Sequence, residues 1–200
     1  MFSRIIWLSA FALGGCASAI HDKNSDNYTL VGYQAQQRGD WDAARRAYAK
    51  AVVNAEMGNT PIKSRSIRTY EYGRALGVTC FFDLAEAELK MAYKLDKQSS
   101  QPLFLSLVEL ARLNFSQEKF VASLPYYEEA ISELDKTSAA EKAPGGYAEI
   151  LEEYAIALAK AGKVVDSKRI TAKVSEIKTK NPKASSITEK TPYGKFCTTK

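Results

Sequence analysis

One stretch of small and aromatic residues at helical spacing sets the pattern for the chain. A tight turn at Gly39 leads into a segment in which Ala44, Tyr48 and Ala51 follow one another at i, i+4 and i+7, so that they share one face of a helix. Gly32 lies twelve residues before Ala44, on a preceding helix. Small side chains let two backbones approach closely, and the aromatic ring fills the space beside them. The stretch therefore predicts two closely packed antiparallel helices.

The same pattern recurs in three further segments. In each segment a small residue on a first helix is followed, twelve residues later, by a small residue on a second helix. The four pairs are Gly32 and Ala44, Gly73 and Ala85, Ala111 and Ser123, and Ala155 and Ser167. The segments follow one another at intervals of 41, 38 and 44 residues, and polar stretches with glycine and proline separate them. The sequence therefore predicts an all-α protein of about four antiparallel helix pairs.

This arrangement resembles the tetratricopeptide repeat (TPR), in which the pattern W-x2-L-G-x2-Y is followed by A-x3-F. The resemblance implies a right-handed superhelix, which we assign to residues 28–179. In the third segment Glu118 replaces the usual turn glycine, and in the fourth Thr171 and Val174 replace an aromatic residue and an alanine. A weaker last repeat is expected where a solenoid ends, because its outer face meets water.

The N-terminal residues 1–15 have the pattern of a signal peptide. Arg4 precedes an apolar run that is too short to span a bilayer as a helix. The ending Leu13-Gly14-Gly15-Cys16 resembles a bacterial lipoprotein lipobox, which implies cleavage before Cys16, its lipidation, and a place on the periplasmic face of the outer membrane. An ordinary secretory signal is the alternative. Residues 16–27 are polar and lack periodicity, which predicts a tether between the lipid anchor and the repeats.

The positive charge is concentrated near the C-terminus. The formal net charge of the chain is +5, and residues 178–200 carry six lysines against one glutamate. The rest of the mature chain is therefore close to neutral, and no nucleic-acid-binding face is expected. Residues 180–200 lack an apolar face, which predicts a basic tail that is disordered or loosely docked. Weak contact of this tail with an anionic surface is one interpretation, and a solvated tail is the other.

Histidine and cysteine are too few for a metal centre or for histidine-based catalysis. His21 is the single histidine, and the three cysteines, Cys16, Cys80 and Cys197, form no C-x-x-C. We therefore expect neither a metal nor a cofactor. Cys80 has two interpretations: a small buried residue in a turn, or the partner of Cys197 in a disulfide, which an envelope location would permit.

A candidate partner-binding groove follows from the TPR resemblance, because in that family the first helix of each pair lines a concave surface. Transferring the ligand-facing offsets to this chain gives a set of eight residues. They are Tyr33, Gln36, Tyr70, Arg74, Val108, Arg112, Phe115 and Glu152. Arg74 and Arg112 share one offset and would suit a peptide with a carboxylate and an apolar anchor. The alternative is that these arginines pair with Glu71 or Glu109 on the surface and that Tyr70 belongs to the core between repeats.

The remaining acidic residues do not suggest catalysis. Neighbours such as Glu128-Glu129 and Glu152-Glu153 point about 100° apart on a helix, so a solvated face is expected rather than an acid–base pair. The resemblance to small repeat-bearing lipoproteins implies a non-enzymatic scaffold or adaptor for another envelope protein, in pilus secretin assembly, barrel assembly or cell-wall complexes. The alternatives are a cell-wall enzyme and a self-assembling structural module. The partner and the oligomeric state are left open.

Overall fold

The computed structural model describes residues 10–185 and 190–197, with side chains from residue 17 onward. This part of the chain is helical, without strands. The helices are α1 (Ala10–Gln37), α2 (Trp41–Gly58), α3 (Ile62–Val78), α4 (Phe82–Gln98), α5 (Phe104–Ser116), α6 (Phe120–Lys136), α7 (Ala139–Lys142), α8 (Pro144–Lys160) and α9 (Val164–Lys180). The predicted all-α, TPR-like superhelix is confirmed.

Four helix pairs form the superhelix, and a three-residue turn joins the members of each pair. The pairs are α1 with α2, α3 with α4, α5 with α6, and α8 with α9. The second helix of each pair then packs on the first helix of the next, and the short α7 bridges the third and fourth pairs. Each pair therefore buries its apolar side against its neighbours, as a solenoid requires.

The small residues of the repeat permit the close approach within each pair. A Cβ placed on Gly32 would lie 2.6 Å from the ring of Tyr48, and one on Gly73 would lie 2.9 Å from Leu89. In the fourth pair the approach is close enough for Ser167 Oγ to donate to the carbonyl oxygen of Ala155 at 2.8 Å. The twelve-residue spacing thus marks real contact points between paired helices.

The turns repeat as regularly as the helices. A residue with positive φ stands at the same register inside each pair, namely Gly39, Cys80, Glu118 and Gly162. A second set stands twenty residues later, between the pairs, namely Asn59, Ser100 and Ser138. The left-handed conformation favours glycine, so the non-glycine residues at these positions carry a conformational cost of about 1 kcal/mol each.

The expected tether over residues 16–27 is wrong for the described residues, because these residues form part of α1. Ser25 is fully buried and its Oγ donates to the carbonyl oxygen of Ala51 at 2.8 Å. Ser66 makes the equivalent bond to Ala92 at 3.2 Å, one repeat later. The repeat therefore begins before residue 28, and its first turns are held by hydrogen bonds that leave no apolar periodicity in the sequence.

Other polar contacts hold the same part of α1. His21 Nδ1 lies 2.9 Å from Asn54 Oδ1, and Thr60 Oγ1 donates to Asp22. Cys16 lies within α1, but its side chain and residues 1–9 of the predicted signal peptide lie outside what the structure describes. Over residues 10–185 and 190–197, no helix is both long and apolar enough to span a membrane.

The expected flexible tail is also wrong in part. After α9 ends at Lys180, residues 190–197 return to the helices and pack against them, while residues 186–189 and 198–200 lie outside the described chain. Cys197 forms a disulfide with Cys80, with a Cα–Cα distance of 5.4 Å. Of the two interpretations of Cys80, the structure shows the disulfide. We call residues 190–197 the docked tail.

Candidate binding groove

Six of the eight predicted groove residues surround one concavity between α1, α3, α5 and α8. They are Tyr33, Gln36, Tyr70, Arg74, Val108 and Arg112. Phe104, Leu105 and Ile150 complete its wall, and its volume is about 480 Å³. We call this concavity the groove. The first helices of successive pairs stack side by side, so residues at one repeat offset come together even though 38 or 41 positions separate them in the chain.

A row of alternating carboxylates and guanidiniums crosses the groove from α3 to α8. Arg74 Nη1 lies 2.8 Å from Glu71, and its Nε lies 4.0 Å from Glu109. Arg112 binds Glu109 at 2.9 Å and donates two hydrogen bonds to Glu153, at 2.8 and 2.9 Å. Each arginine therefore joins the acid of its own helix to the acid of the next first helix. We call these five residues the ladder.

The charged groups of the ladder shift one another's pKa values, because burial strengthens the interactions between them. Burial opposes the charged form of Arg112, but the hydrogen bonds and charges of Glu153 and Glu109 outweigh it and raise the pKa of the guanidinium. The pKa of Arg74 is raised in the same way, by Glu71 and Glu109 against burial. Burial raises the pKa of the Glu71 carboxyl, and the charge of Arg74 opposes that shift. The arginines pair with Glu71 and Glu109, as the alternative interpretation held, but these pairs lie inside the groove and not on the surface.

Glu153 is a member of the ladder that the sequence analysis missed. It was expected on a solvated face, which is wrong, because Glu153 is buried and holds Arg112 while accepting a hydrogen bond from Tyr127 at 3.2 Å. Glu152, which was predicted in the groove, instead pairs with Lys178 at 2.6 Å where α8 meets α9. The signal was present in the repeat register, because Glu71, Glu109 and Glu153 follow at the segment intervals of 38 and 44.

Phe115 lies apart from the other predicted residues. Its ring meets Phe120 edge to face with 5.1 Å between centroids. It lines a separate concavity of about 330 Å³, which Arg112 shares and which the tail residues Pro192 and Tyr193 help to enclose. The docked tail thus stands between Phe115 and the groove. It separates Phe115 from the other predicted groove residues, although this segment was predicted to be a flexible tail.

The docked tail contacts the ladder at three of its members. Lys190 Nζ lies 3.2 Å from Glu153 and 3.6 Å from Glu149. Thr191 Oγ1 accepts a hydrogen bond from Arg74 Nε at 2.9 Å, and the Tyr193 hydroxyl donates to Glu109 at 2.7 Å. These residues were not predicted as part of the site, and no local pattern in the sequence indicates them.

The ring of Tyr193 packs closely on α3. A Cβ on Gly77 would lie 2.5 Å from its ring and 2.8 Å from Leu113, so only glycine leaves room for the ring at this point of α3. The backbone N–H of Gly194 donates to the carbonyl oxygen of Gly77 at 3.3 Å. Burial, and then the charge of Glu109, raise the pKa of the Tyr193 hydroxyl well above its ordinary value.

The mouth of the groove carries exposed apolar side chains. Tyr33 is 54% exposed and Leu105 is 45% exposed, whereas Val108 between them and the ladder is buried. The groove therefore has an open apolar mouth, a buried charged floor, and the docked tail along one side.

Comparison with solved structures identifies the fold. Over 79% of this chain and 77% of the other, it is similar to a Podosopora anserina protein of nearly identical TPR-like repeats, named after the kinesin light chain, with a TM-score of 0.68 and 18% identity. A variant of that protein gives a TM-score of 0.67 at 16% identity over 86% of both chains. The MamA protein gives 0.49 at 17% identity over 84% of this chain and 99% of MamA. No protein-family model and no curated protein matches the sequence.

Proposed function

We propose that this protein is a non-enzymatic interaction module that binds a segment of another protein in the groove. The observation that carries the proposal is the groove itself, with its exposed apolar mouth at Tyr33 and Leu105 over a buried charged floor. Exposed apolar side chains in a concave surface gain free energy when a partner covers them, at about 25 cal/mol per Å². A TPR-like superhelix presents such a surface along its first helices.

The chemistry of the groove supports binding rather than reaction. The carboxylates of the ladder are held in ion pairs with Arg74 and Arg112, so they fix side chains in place instead of exchanging protons with a substrate. Gln36 receives a hydrogen bond from the Tyr48 hydroxyl at 3.0 Å, which orients its amide beside the mouth. The groove is therefore a rigid surface with defined hydrogen-bonding groups, which is what recognition of a segment requires.

We further propose that the protein works in a bacterial envelope, anchored by acyl chains on Cys16 to the periplasmic face of the outer membrane, as an adaptor in envelope complex assembly. The lipobox-like ending at Cys16 supports the anchor, and the Cys80–Cys197 disulfide agrees with an oxidising compartment. Metabolic labelling with an alkyne fatty acid should mark the protein. Labelling that survives Cys16→Ser would refute the anchor.

Photo-crosslinking in cells tests the groove. A photoreactive amino acid at Leu105, in the mouth, should capture a discrete partner protein. The matched control is Val165 on α9, which is 82% exposed and lies outside the groove. Arg112 is unsuited to this purpose, because its side chain is only 9% exposed and holds Glu153. Capture of the same products from both positions, or of none from Leu105, would refute the proposed function.

A further inference from the structure

The docked tail covers the inner side of the groove, by which we mean the surface formed by Arg74, Gly77, Glu109, Leu113 and Glu153. We propose that this inner side is a binding site for an extended segment of the form Lys-x-Pro-Tyr, and that residues 190–193 of the chain are its resident occupant. The inference rests on the proposed function of the groove and names the chemistry of its partner. The partner is a peptide segment with a cation three positions before a tyrosine.

Charge complementarity argues for the cation. The ladder contains three carboxylates and two guanidiniums, so it has one uncompensated negative charge when all five groups are ionised. Lys190 brings its ammonium to the α8 end of the ladder, 3.2 Å from Glu153 and 3.6 Å from Glu149. A lysine or arginine in an incoming segment would meet the same acids.

A shaped recess argues for the tyrosine. The ring of Tyr193 lies over Gly77 beside Leu113, and its hydroxyl donates to Glu109 at 2.7 Å. The recess therefore offers an apolar wall to a ring and a carboxylate to the hydroxyl beyond it, which distinguishes tyrosine from phenylalanine. Aromatic anchors of this kind carry much of the affinity at protein interfaces.

The residues between the anchors argue for an extended segment. Thr191 is buried and accepts a hydrogen bond from Arg74 at 2.9 Å, which sets its register over the ladder. Pro192 fixes its own φ and disfavours helical conformation in the residue before it. A segment with proline at this position loses less conformational entropy on binding, so the spacing of lysine and tyrosine is preserved at low cost.

The disulfide explains why the site is filled by the chain itself. The Cys80–Cys197 bond closes the tail onto the turn between α3 and α4, four residues beyond Tyr193. A tethered segment has a high effective concentration at its site, of order millimolar even for a flexible tether. A competing segment therefore gains access more readily when the disulfide or the tyrosine anchor of the tail is removed.

Fluorescence anisotropy tests the inference with the full-length chain. The probe is a fluorescein-labelled peptide with the sequence of residues 190–196, Lys-Thr-Pro-Tyr-Gly-Lys-Phe. The double variant Tyr193→Ala/Cys197→Ser leaves the recess empty and removes the disulfide, so it should bind the probe at least tenfold more tightly than the oxidised wild-type chain. Equal affinity for the two chains would overturn the proposal.

Matched controls separate specific binding from a change in fold. Adding Gly77→Ala to the double variant should abolish the gain, because its methyl group occupies the place of the tyrosine ring. Probes with the tyrosine changed to alanine, or the first lysine changed to glutamate, should bind at least tenfold more weakly to an unchanged protein. If either altered probe binds as well as the original, the named chemistry is wrong.

A measurement without variants covers the case in which the double variant fails to fold. In the wild-type chain with dithiothreitol, an excess of unlabelled peptide should accelerate hydrogen exchange in residues 190–197, and an unchanged rate would overturn the proposal. Crosslinking at Leu105 is independent, because Leu105 lies in the mouth. If Leu105 captures a partner while the peptide binds no form of the chain, this inference fails and the proposed function stands.

Discussion

Replacing Arg112 with leucine should destabilise the protein more than the loss of a surface ion pair would. The side chains of Glu109 and Glu153 are only 4% and 10% exposed, and Arg112 is the cation that binds both. Breaking a buried ion pair by removing one partner costs about 3–5 kcal/mol, because it leaves an uncompensated buried charge. Lys190 still lies 3.2 Å from Glu153, so we expect Arg112→Leu to fall at the lower end, about 3 kcal/mol.

Urea unfolding followed by circular dichroism measures this loss. The disulfide is kept oxidised, so that the unfolded reference state is the same for every variant. The matched control is Arg169→Leu, which removes an i,i+3 pair with Asp166 whose arginine side chain is 76% exposed. An exposed pair contributes about 0–1 kcal/mol. If Arg112→Leu costs no more than Arg169→Leu, the ladder is not a structural unit.

A double variant separates the ion pair from simple packing. Arg112→Leu/Glu153→Leu removes the arginine together with the carboxylate that it binds through two hydrogen bonds. Replacing both members of a buried pair by apolar residues is often neutral or stabilising, so the double variant should recover part of the loss. A double variant that is less stable than the sum of the two single changes would contradict this account.

Three further variants test other features of the fold, each by thermal or urea unfolding. Glu118→Gly should stabilise the protein by about 1 kcal/mol, because Glu118 is exposed and has φ +59°. Gly32→Ala should destabilise it, because crowding the Tyr48 ring costs about 1–3 kcal/mol and exceeds the gain in helix propensity of about 1 kcal/mol. Ser25→Ala should cost about 1 kcal/mol by removing the buried hydrogen bond from Ser25 to the carbonyl oxygen of Ala51.

Each of these three variants has a matched control variant in the same chain. Gly39→Ala, the counterpart of Glu118→Gly, should lower stability because Gly39 has a φ of +77°. Nothing lies near an added Cβ, so the loss would come from the backbone conformation alone. Gly146→Ala, in the first turns of α8 with open space around it, should be neutral or stabilising. Ser175→Ala removes a similar bond on an exposed face and should change little. If Ser25→Ala behaves like Ser175→Ala, residues 16–27 of α1 do not belong to the folded repeat.

The helix pairs could be predicted from the sequence because their signal is local and repeated. The twelve-residue spacing from Gly32 to Ala44, and its three copies, reflects a contact between neighbouring helices, as the Cβ distances at Gly32 and Gly73 show. The pattern does not predict a helix where the buried side chains are polar. Ser25 is buried by a hydrogen bond to the backbone, so residues 16–27 lack the apolar periodicity on which the helix prediction depended.

The position of the tail could not be predicted, because its contacts are long-range and specific. Tyr193 meets Glu109 across 84 positions, and Cys197 meets Cys80 across 117. Composition indicated a solvated lysine-rich segment, and Lys190 alone would agree with it. The segment is held by the disulfide, by its contacts with the ladder and by the fit of one ring over Gly77. These are properties of the assembled helices that no pattern near Tyr193 expresses.

The repeat register also explains which parts of the groove are left for a partner. At the register of Glu71, Glu109 and Glu153 the first pair has Leu30, and at the register of Arg74 and Arg112 the first and last pairs have Tyr33 and Ile156. The ladder therefore ends in apolar residues at both ends of the superhelix, and Leu30, Tyr33 and Ile156 are each more than half exposed. The guanidiniums of the ladder already pair with its carboxylates, and Lys190 meets the remaining negative charge. A partner therefore gains most by covering the apolar ends and, where the tail is displaced, by replacing Tyr193.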